Sequence, residues 1–284
     1  MLRKFLLTLS FIFVLIICTV IVISMADNIF NSSVHEEIGE LYSAPNNSYQ
    51  SVDEVQLESL PNPVKKWLKS SGIPGKVKSN SVRLKQKGFM LPKRENDWMP
   101  FEAYQYYRID KPGFIWQARA NAGWPLYITA RDKYYEGKGN MLIKLFSLFT
   151  IADSKGEKMD QGTMLRYLAE ICWFPFAALS DYIEWQSIDS TSARAVMNYK
   201  DRTVAGTFFF KDNGDISGFE AMRYGEFEGK FSLEKWHVSM NDYSTFQGIR
   251  IPVKGSITWK LKTGDFKWLN WEIYELDYNN QLPY

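Results

Sequence analysis

The chain reads as a mainly β protein of the α+β class: one large curled antiparallel sheet, a half-barrel, with a short helical insert, preceded by an N-terminal transmembrane helix. Three observations predict this. Period-two alternation recurs in successive segments from about residue 76 to the C-terminus, the mark of strands with two unlike faces. Aromatic residues make up 16% of the 284, and Trp, Tyr and Phe suit strands. Residues 5–23 form an apolar run without a charge, relieved only by Thr8, Ser10, Cys18 and Thr19.

A bilayer core takes roughly 20 apolar residues as a helix, which the run supplies. A secretory signal is the competing reading, and Ser24-Met25-Ala26 would pass as its cleavage site, but a signal core spans only roughly 7–15 residues. The run is therefore read as an uncleaved signal-anchor over 1–24. Arg3 and Lys4 precede it, and no Lys or Arg occurs over 25–64, where Asp27, Glu36, Glu37, Glu40, Asp53, Glu54 and Glu58 lie. The positive-inside bias puts the N-terminus in the cytoplasm and the rest outside. The net charge of +2 splits into +2 ahead of the run, −7 in the stretch after it and +7 over 65–284. The expected organisation is an acidic polar linker over 25–60, with one short helix near Val34 to Leu41, and a folded domain over 61–284.

Pro61-Asn62-Pro63 opens a short helix ended by Gly72 and Pro74, with Val64, Trp67 and Leu68 on one face. Strands follow. Val82, Leu84 and Gln86 alternate with Arg83, Lys85 and Lys87; Phe101, Ala103 and Gln105 with Glu102, Tyr104 and Tyr106; Phe114, Trp116 and Ala118 with Ile115, Gln117 and Arg119. The alternation stops near 160. Asp160 is placed as a helix cap, Met164, Leu165, Leu168 and Ile171 repeat at helical spacing, and Pro175 breaks the helix before a second short one over 176–179. Strands resume at Tyr182, with hairpin signals at Asn213-Gly214 and Thr263-Gly264-Asp265. The sum is a meander of about ten strands, and a sheet of that size curls or splits. The helical insert, near 160–180, would cover one face of the curl or plug its mouth.

Asp160-Gln161-Gly162, Arg166-Tyr167-Leu168-Ala169-Glu170 and Trp173-Phe174-Pro175 together resemble the central signature of a bacterial, often membrane-anchored family of unknown function. Asp132 through Gly139, Lys144-Leu145, Arg250-Ile251-Pro252 and Trp259 fit the same pattern. The resemblance implies no assigned activity and carries no catalytic residue. At the level of shape alone, a curled sheet with helices in its mouth also resembles the lipoprotein-carrier (Lol-type) half-barrels of the bacterial envelope.

No residue set names a reaction, and an enzyme is not the favoured reading. Only His35 and His237 are present, and neither cysteine sits in a ligand-spaced pair, so no metal site and no cofactor are expected. There is no phosphate-binding or dinucleotide-binding glycine motif. Basic and aromatic residues alternate on strands as in nucleic-acid sheets, but the side of the membrane argues against nucleic acid. The candidate ligand-binding residues are Arg166 and Glu170, four apart on one helix, and the apolar group Trp173, Phe174 and Phe176. They suggest a lipid or other amphipathic ligand in the concave face. The alternatives are an envelope hydrolase using cavity carboxylates, Glu170 first, and a ligand-free interaction scaffold.

Overall fold

Alternation resolves into thirteen strands among the described residues. The computed structural model describes residues 1–43, 50–227 and 229–284; the part of the expected linker at 44–49 lies outside them. The strands are β1 (Ser81–Met90), β2 (Met99–Arg108), β3 (Gly113–Asn121), β4 (Tyr127–Tyr135), β5 (Lys138–Leu145), β6 (Phe149–Lys155), β7 (Ile183–Ser187), β8 (Ser192–Tyr199), β9 (Arg202–Phe210), β10 (Ile216–Phe227), β11 (Lys230–Phe246), β12 (Ile249–Leu261) and β13 (Gly264–Tyr278). All form one antiparallel sheet, ordered β6-β5-β4-β3-β2-β1-β13-β12-β11-β10-β9-β8-β7. The first and last strands meet at its centre, Val82 opposite Tyr278. About ten strands were expected; the extra ones come from splitting the weakly alternating stretches at 127–155 and 183–199.

The two edge strands, β6 and β7, are consecutive in the chain, and helix α3 (Glu157–Glu170) joins them. One helix can bridge both edges only if the sheet rolls up around it. It touches β4 and β5 on one side and β9 and β10 on the other. Lys200 after β8 pairs with Glu136 after β4 at 2.6 Å across the gap. Asp160 ties the same halves together, accepting from Lys138 at 3.2 Å and pairing with Arg202 at 3.0 Å. Asp160 is therefore not the cap it was expected to be. Gly156, with φ of 104°, holds the N-cap position, and the Asp160 carboxylate turns sideways to take the Gly139 N–H at 2.8 Å. A Cβ on Gly139 would lie 2.7 Å from the Met159 carbonyl, so only glycine lets the β5 start lie this close to the helix. Past α3 the chain makes tight turns at Ile171–Trp173 and Pro175–Leu179 rather than a second α-helix.

Helix α1 runs without a break over Leu2–Leu41. The short helix expected near Val34 is its last part. Its first part is exposed apolar surface all round. Its last part lies along the convex face of β2 and β3, burying Phe30, Val34, Ile38 and Leu41 against Tyr106 and Ile115. Helix α2 (Asn62–Ser70), with Pro63 in its first turn as expected, buries Val64, Trp67 and Leu68. Trp67 stacks on Phe208 at 6.2 Å, which seals that end of the core.

Candidate ligand-binding site

Strand alternation decides which side chains face the concave side, and register sorts them into tiers running across neighbouring strands. Nearest the end where α1 leaves the domain lies the apolar tier of Phe101, Ala120, Ile128, Leu145 and Phe149. The next tier is Ala103, Ala118, Ala130, Ile143 and Ala152, paired in that order across β2 to β6. Four of these five strands place alanine there, so the tier is a row of small side chains between bulkier ones, with Ala103 and Ala118 buried in the core. Ala130 and Ile143 keep part of their surface in contact with solvent. Below it come Gln105, Trp116, Asp132 and Met141, where the character turns polar.

Helix α3 completes that polar floor. Arg166 donates from Nη1 to Asp132 Oδ2 at 2.6 Å and from Nε to Glu170 Oε1 at 2.8 Å. Its guanidinium lies 5.0 Å from the ring centres of both Phe114 and Trp116. Glu170 Oε2 accepts from Gln105 Nε2 and from the Tyr107 hydroxyl, each at 2.9 Å. Gln105 Oε1 accepts from Gln86 Nε2 at 3.0 Å, and Gln86 Oε1 from Trp116 Nε1 at 3.1 Å. Gln105, Tyr107 and Arg166 thus converge on the Glu170 carboxylate. Such networks hold a unique arrangement when each member is satisfied.

Burial pushes the Glu170 carboxyl above the usual carboxylate range, and the Arg166 guanidinium offsets only part of that. For Arg166, burial works against the charge, but Glu170 and Asp132 outweigh it and hold the guanidinium more firmly protonated. Tyr107 is pushed well up, first by burial and then by Glu170. Across the interior, Arg223 on β10 donates from Nε to the Gly162 carbonyl at 3.0 Å and lies 5.0 Å from the Trp236 ring centre. Burial lowers it to about 10. Asp132 Oδ1, Trp173 Nε1 and Trp236 Nε1 are buried polar atoms without a hydrogen-bond partner in the structure.

A concavity of about 1030 Å³ opens on the convex face. Its floor is a row of alternating charge, Arg119, Glu102, Lys87, Glu272 and Lys254, set side by side by the register. Trp124, Pro125 and Leu126 wall one end.

Residues 50–271 match the model of DUF6544, a family of unknown function. The chain belongs to this family. The resemblance read from Asp160 to Pro175 is thus borne out, and with it the absence of any assigned activity to inherit. None of the curated proteins matches this DUF6544 chain. Among solved structures it is similar to the LolA superfamily protein NE2245 from Nitrosomonas europaea, at 10% identity and a TM-score of 0.40, over 78% of this chain and 93% of that one.

In this DUF6544 domain, Arg166 and Glu170 do face each other, and Asp132, Gln105 and Tyr107 join them. Trp173, Phe174 and Phe176 are buried in the core, the first two against the Tyr107 ring. The Phe174 ring centre is 4.5 Å from that of Tyr107, Trp173 meets Trp271 edge-on at 5.1 Å, and Phe176 meets Tyr278 at 6.1 Å. Cys172 is buried too, and burial pushes its thiol well up. Sequence reasoning missed Asp132, Gln105 and the alanine tier. Each sits at an inward position of a strand, but only the register shows that they are neighbours.

Proposed function

We propose that this protein is a membrane-tethered envelope protein that binds a lipid or other amphipathic molecule in the concave mouth of its half-barrel. Its N-terminus lies in the cytoplasm and its domain outside. The observation that carries this reading is the tiering: an apolar rim, a row of alanines and a polar, charge-balanced floor, in that order from the end where α1 departs. Binding sites for small apolar molecules are mostly apolar with a few placed polar groups. An acyl chain would lie along the alanine tier, with Asp132 Oδ1, Arg223 and Trp236 Nε1 as polar partners further in. The exposed apolar half of α1, with Arg3 and Lys4 before it and acids after it, supports tethering in this orientation.

Glu170 as the acid or base of a hydrolase finds less support. Both its oxygens already accept hydrogen bonds, and Arg166 stands between it and Asp132.

Full-length protein purified in mild detergent, extracted and analysed by lipid mass spectrometry, should yield a bound lipid above the level in mock purifications. Ala130→Trp, which puts a bulky ring into the alanine row, should abolish that yield while circular dichroism stays unchanged. Equal lipid yield from both proteins, or none from either, would count against the reading.

A further inference from the structure

We infer that the rim of the domain around the exit of α1 is itself seated in the bilayer, so that the half-barrel rests mouth-down on the membrane rather than floating on a tether. The inference rests on the membrane reading of α1 and adds where the domain sits.

Of the hairpin tips at the end of the sheet where α1 leaves, three lie on the side that α1 packs against: those between β1 and β2, β3 and β4, and β5 and β6. All three carry large exposed apolar side chains, Trp98 on the first of them at 40% exposure. Trp124 is 94% exposed and Phe149 61% exposed, with Leu126, Leu148 and Ile151 beside them also exposed. The tips nearest the other end of the docked helix, at Lys111-Pro112 and Glu136-Gly137, carry no exposed large aliphatic or aromatic residue, Ile109 being buried. Contiguous apolar surface of this kind marks an interaction site.

Its occupant follows from α1. Asp27 accepts from Ser147 Oγ at 2.5 Å and from the Tyr127 hydroxyl at 2.8 Å, with Arg119 at 3.4 Å. Ser147 immediately precedes Leu148, and Tyr127 immediately follows Leu126. The Phe146 ring meets Tyr127 edge-on at 5.2 Å. One carboxylate on the helix thereby holds the β3–β4 and β5–β6 tips. The apolar run ends at Ile23, four residues earlier, which is about 6 Å along a helix rising 1.5 Å per residue. The tips are fixed at the height where a spanning helix passes through the headgroups. That layer favours an aromatic side chain such as Trp, and an apolar surface there adds a second attachment to the anchor. The partner is the bilayer that α1 itself crosses. In this seating the concave mouth opens toward lipid, giving a ligand a path that avoids water.

The test uses the full chain in lipid nanodiscs, in a Cys18→Ala background with Cys172 buried. A fluorophore is attached after Trp124→Cys, Phe149→Cys, Ile12→Cys or Asp212→Cys, and lipids carry a spin label either near the headgroup or deep in the chain. Labels at 124 and 149 should be quenched by the shallow spin, the label at 12 by the deep one, and the label at 212 by neither. If 12 is quenched while 124 and 149 behave like 212, the seated rim is overturned and the anchor stands. If 12 is not quenched, the membrane reading fails and takes the inference with it. If shielding at 124 and 149 appears only in discs holding two copies, the patch is a self-association surface and the inference is overturned.

Discussion

Two helices pack on opposite faces of the same sheet and solve different problems. The docked part of α1 lies on the convex face, where strands curve away, so a single stripe of Phe30, Val34, Ile38 and Leu41 makes the contact. Its polar neighbours stay near water: Glu37 pairs with Arg131 at 2.9 Å and Lys133 at 2.7 Å, and Asn31 accepts from Gln117 at 2.7 Å. Helix α3 lies inside the curl, with strands on both sides. Nine of its fourteen residues are buried, Asp160, Thr163 and Glu170 among them. A helix so enclosed has no polar face to give to water. Its charges must be answered by the sheet, and Asp132, Gln105 and Tyr107 answer them. The lesson is that α3 belongs to the folding unit, whereas α1 is attached to it.

The largest expected effect tests the α3 side of that contrast. Arg166→Met leaves Glu170 and Asp132 as buried carboxylates without their shared cation, and breaking a buried pair in this way costs about 3–5 kcal/mol. Urea unfolding followed by Trp fluorescence should show the midpoint of the whole domain drop accordingly. A loss under about 1 kcal/mol would mean that the network is solvated and that α3 is less enclosed than its burial indicates. The next effect tests α1. Phe30→Ala removes a buried ring at a cost of about 3 kcal/mol, but the cost should fall on docking alone. Amide exchange should accelerate over residues 27–41 and stay unchanged in β2 and β3. Uniform acceleration across the sheet would show that α1 is part of the same cooperative unit.

The difference between the helices also explains what the sequence made legible. Class, antiparallel strands, the hairpins at Asn213-Gly214 and Thr263-Gly264 and the helical insert are all written in local pattern. Period two and turn residues are short-range signals. The stripe at 30, 34, 38 and 41 was equally present, but the acids and amides between its members made the stretch read as a spacer. Asp160 was misplaced for a related reason: an Asp before an apolar helix has the chemistry of a cap, and only the closeness of Gly139 draws it into a different bond. Arg166 and Glu170 were found because four-residue spacing is visible along one helix. Asp132, Gln105, Tyr107 and the alanine tier depend on register across the sheet. Register is set by turn lengths and bulges, such as those at Lys85/Gln86 and Ile143/Lys144, and alternation does not reveal it. Trp173, Phe174 and Phe176 look alike in sequence whether they line a cavity or fill a core; in the structure they pack against the rings of Tyr107, Trp271 and Tyr278.

A smaller effect sharpens the account of the α3 floor through pH. Burial raises the Glu170 carboxyl above its ordinary value in the folded state. As pH falls, the native protein therefore takes up this proton before the unfolded chain does. Linkage then makes this group's contribution to stability rise as pH drops from the raised value to the ordinary carboxylate range of about 4.3. Outside that window the contribution is flat. Glu170→Gln removes the titration, so the stability of wild type relative to the variant should increase between pH 8 and pH 5 in paired urea titrations. Parallel curves would mean that Arg166 holds the carboxylate ionised throughout.

The smallest effect returns to α1 and separates its two kinds of contact. Glu37 bridges Arg131 and Lys133 but keeps a fifth of its side chain in water, so Coulomb attraction is screened and partly cancelled by the loss of side-chain freedom. Glu37→Gln should cost about 0.2–1 kcal/mol of docking, and raising salt should weaken wild-type docking toward the level of the variant. Exchange rates over 27–41 at low and high salt measure both quantities. If Glu37→Gln released the helix as fully as Phe30→Ala does, docking would be electrostatic and the apolar stripe incidental. With the stripe intact and the pair removed, the helix should stay on the sheet, because four buried side chains outweigh one screened bridge.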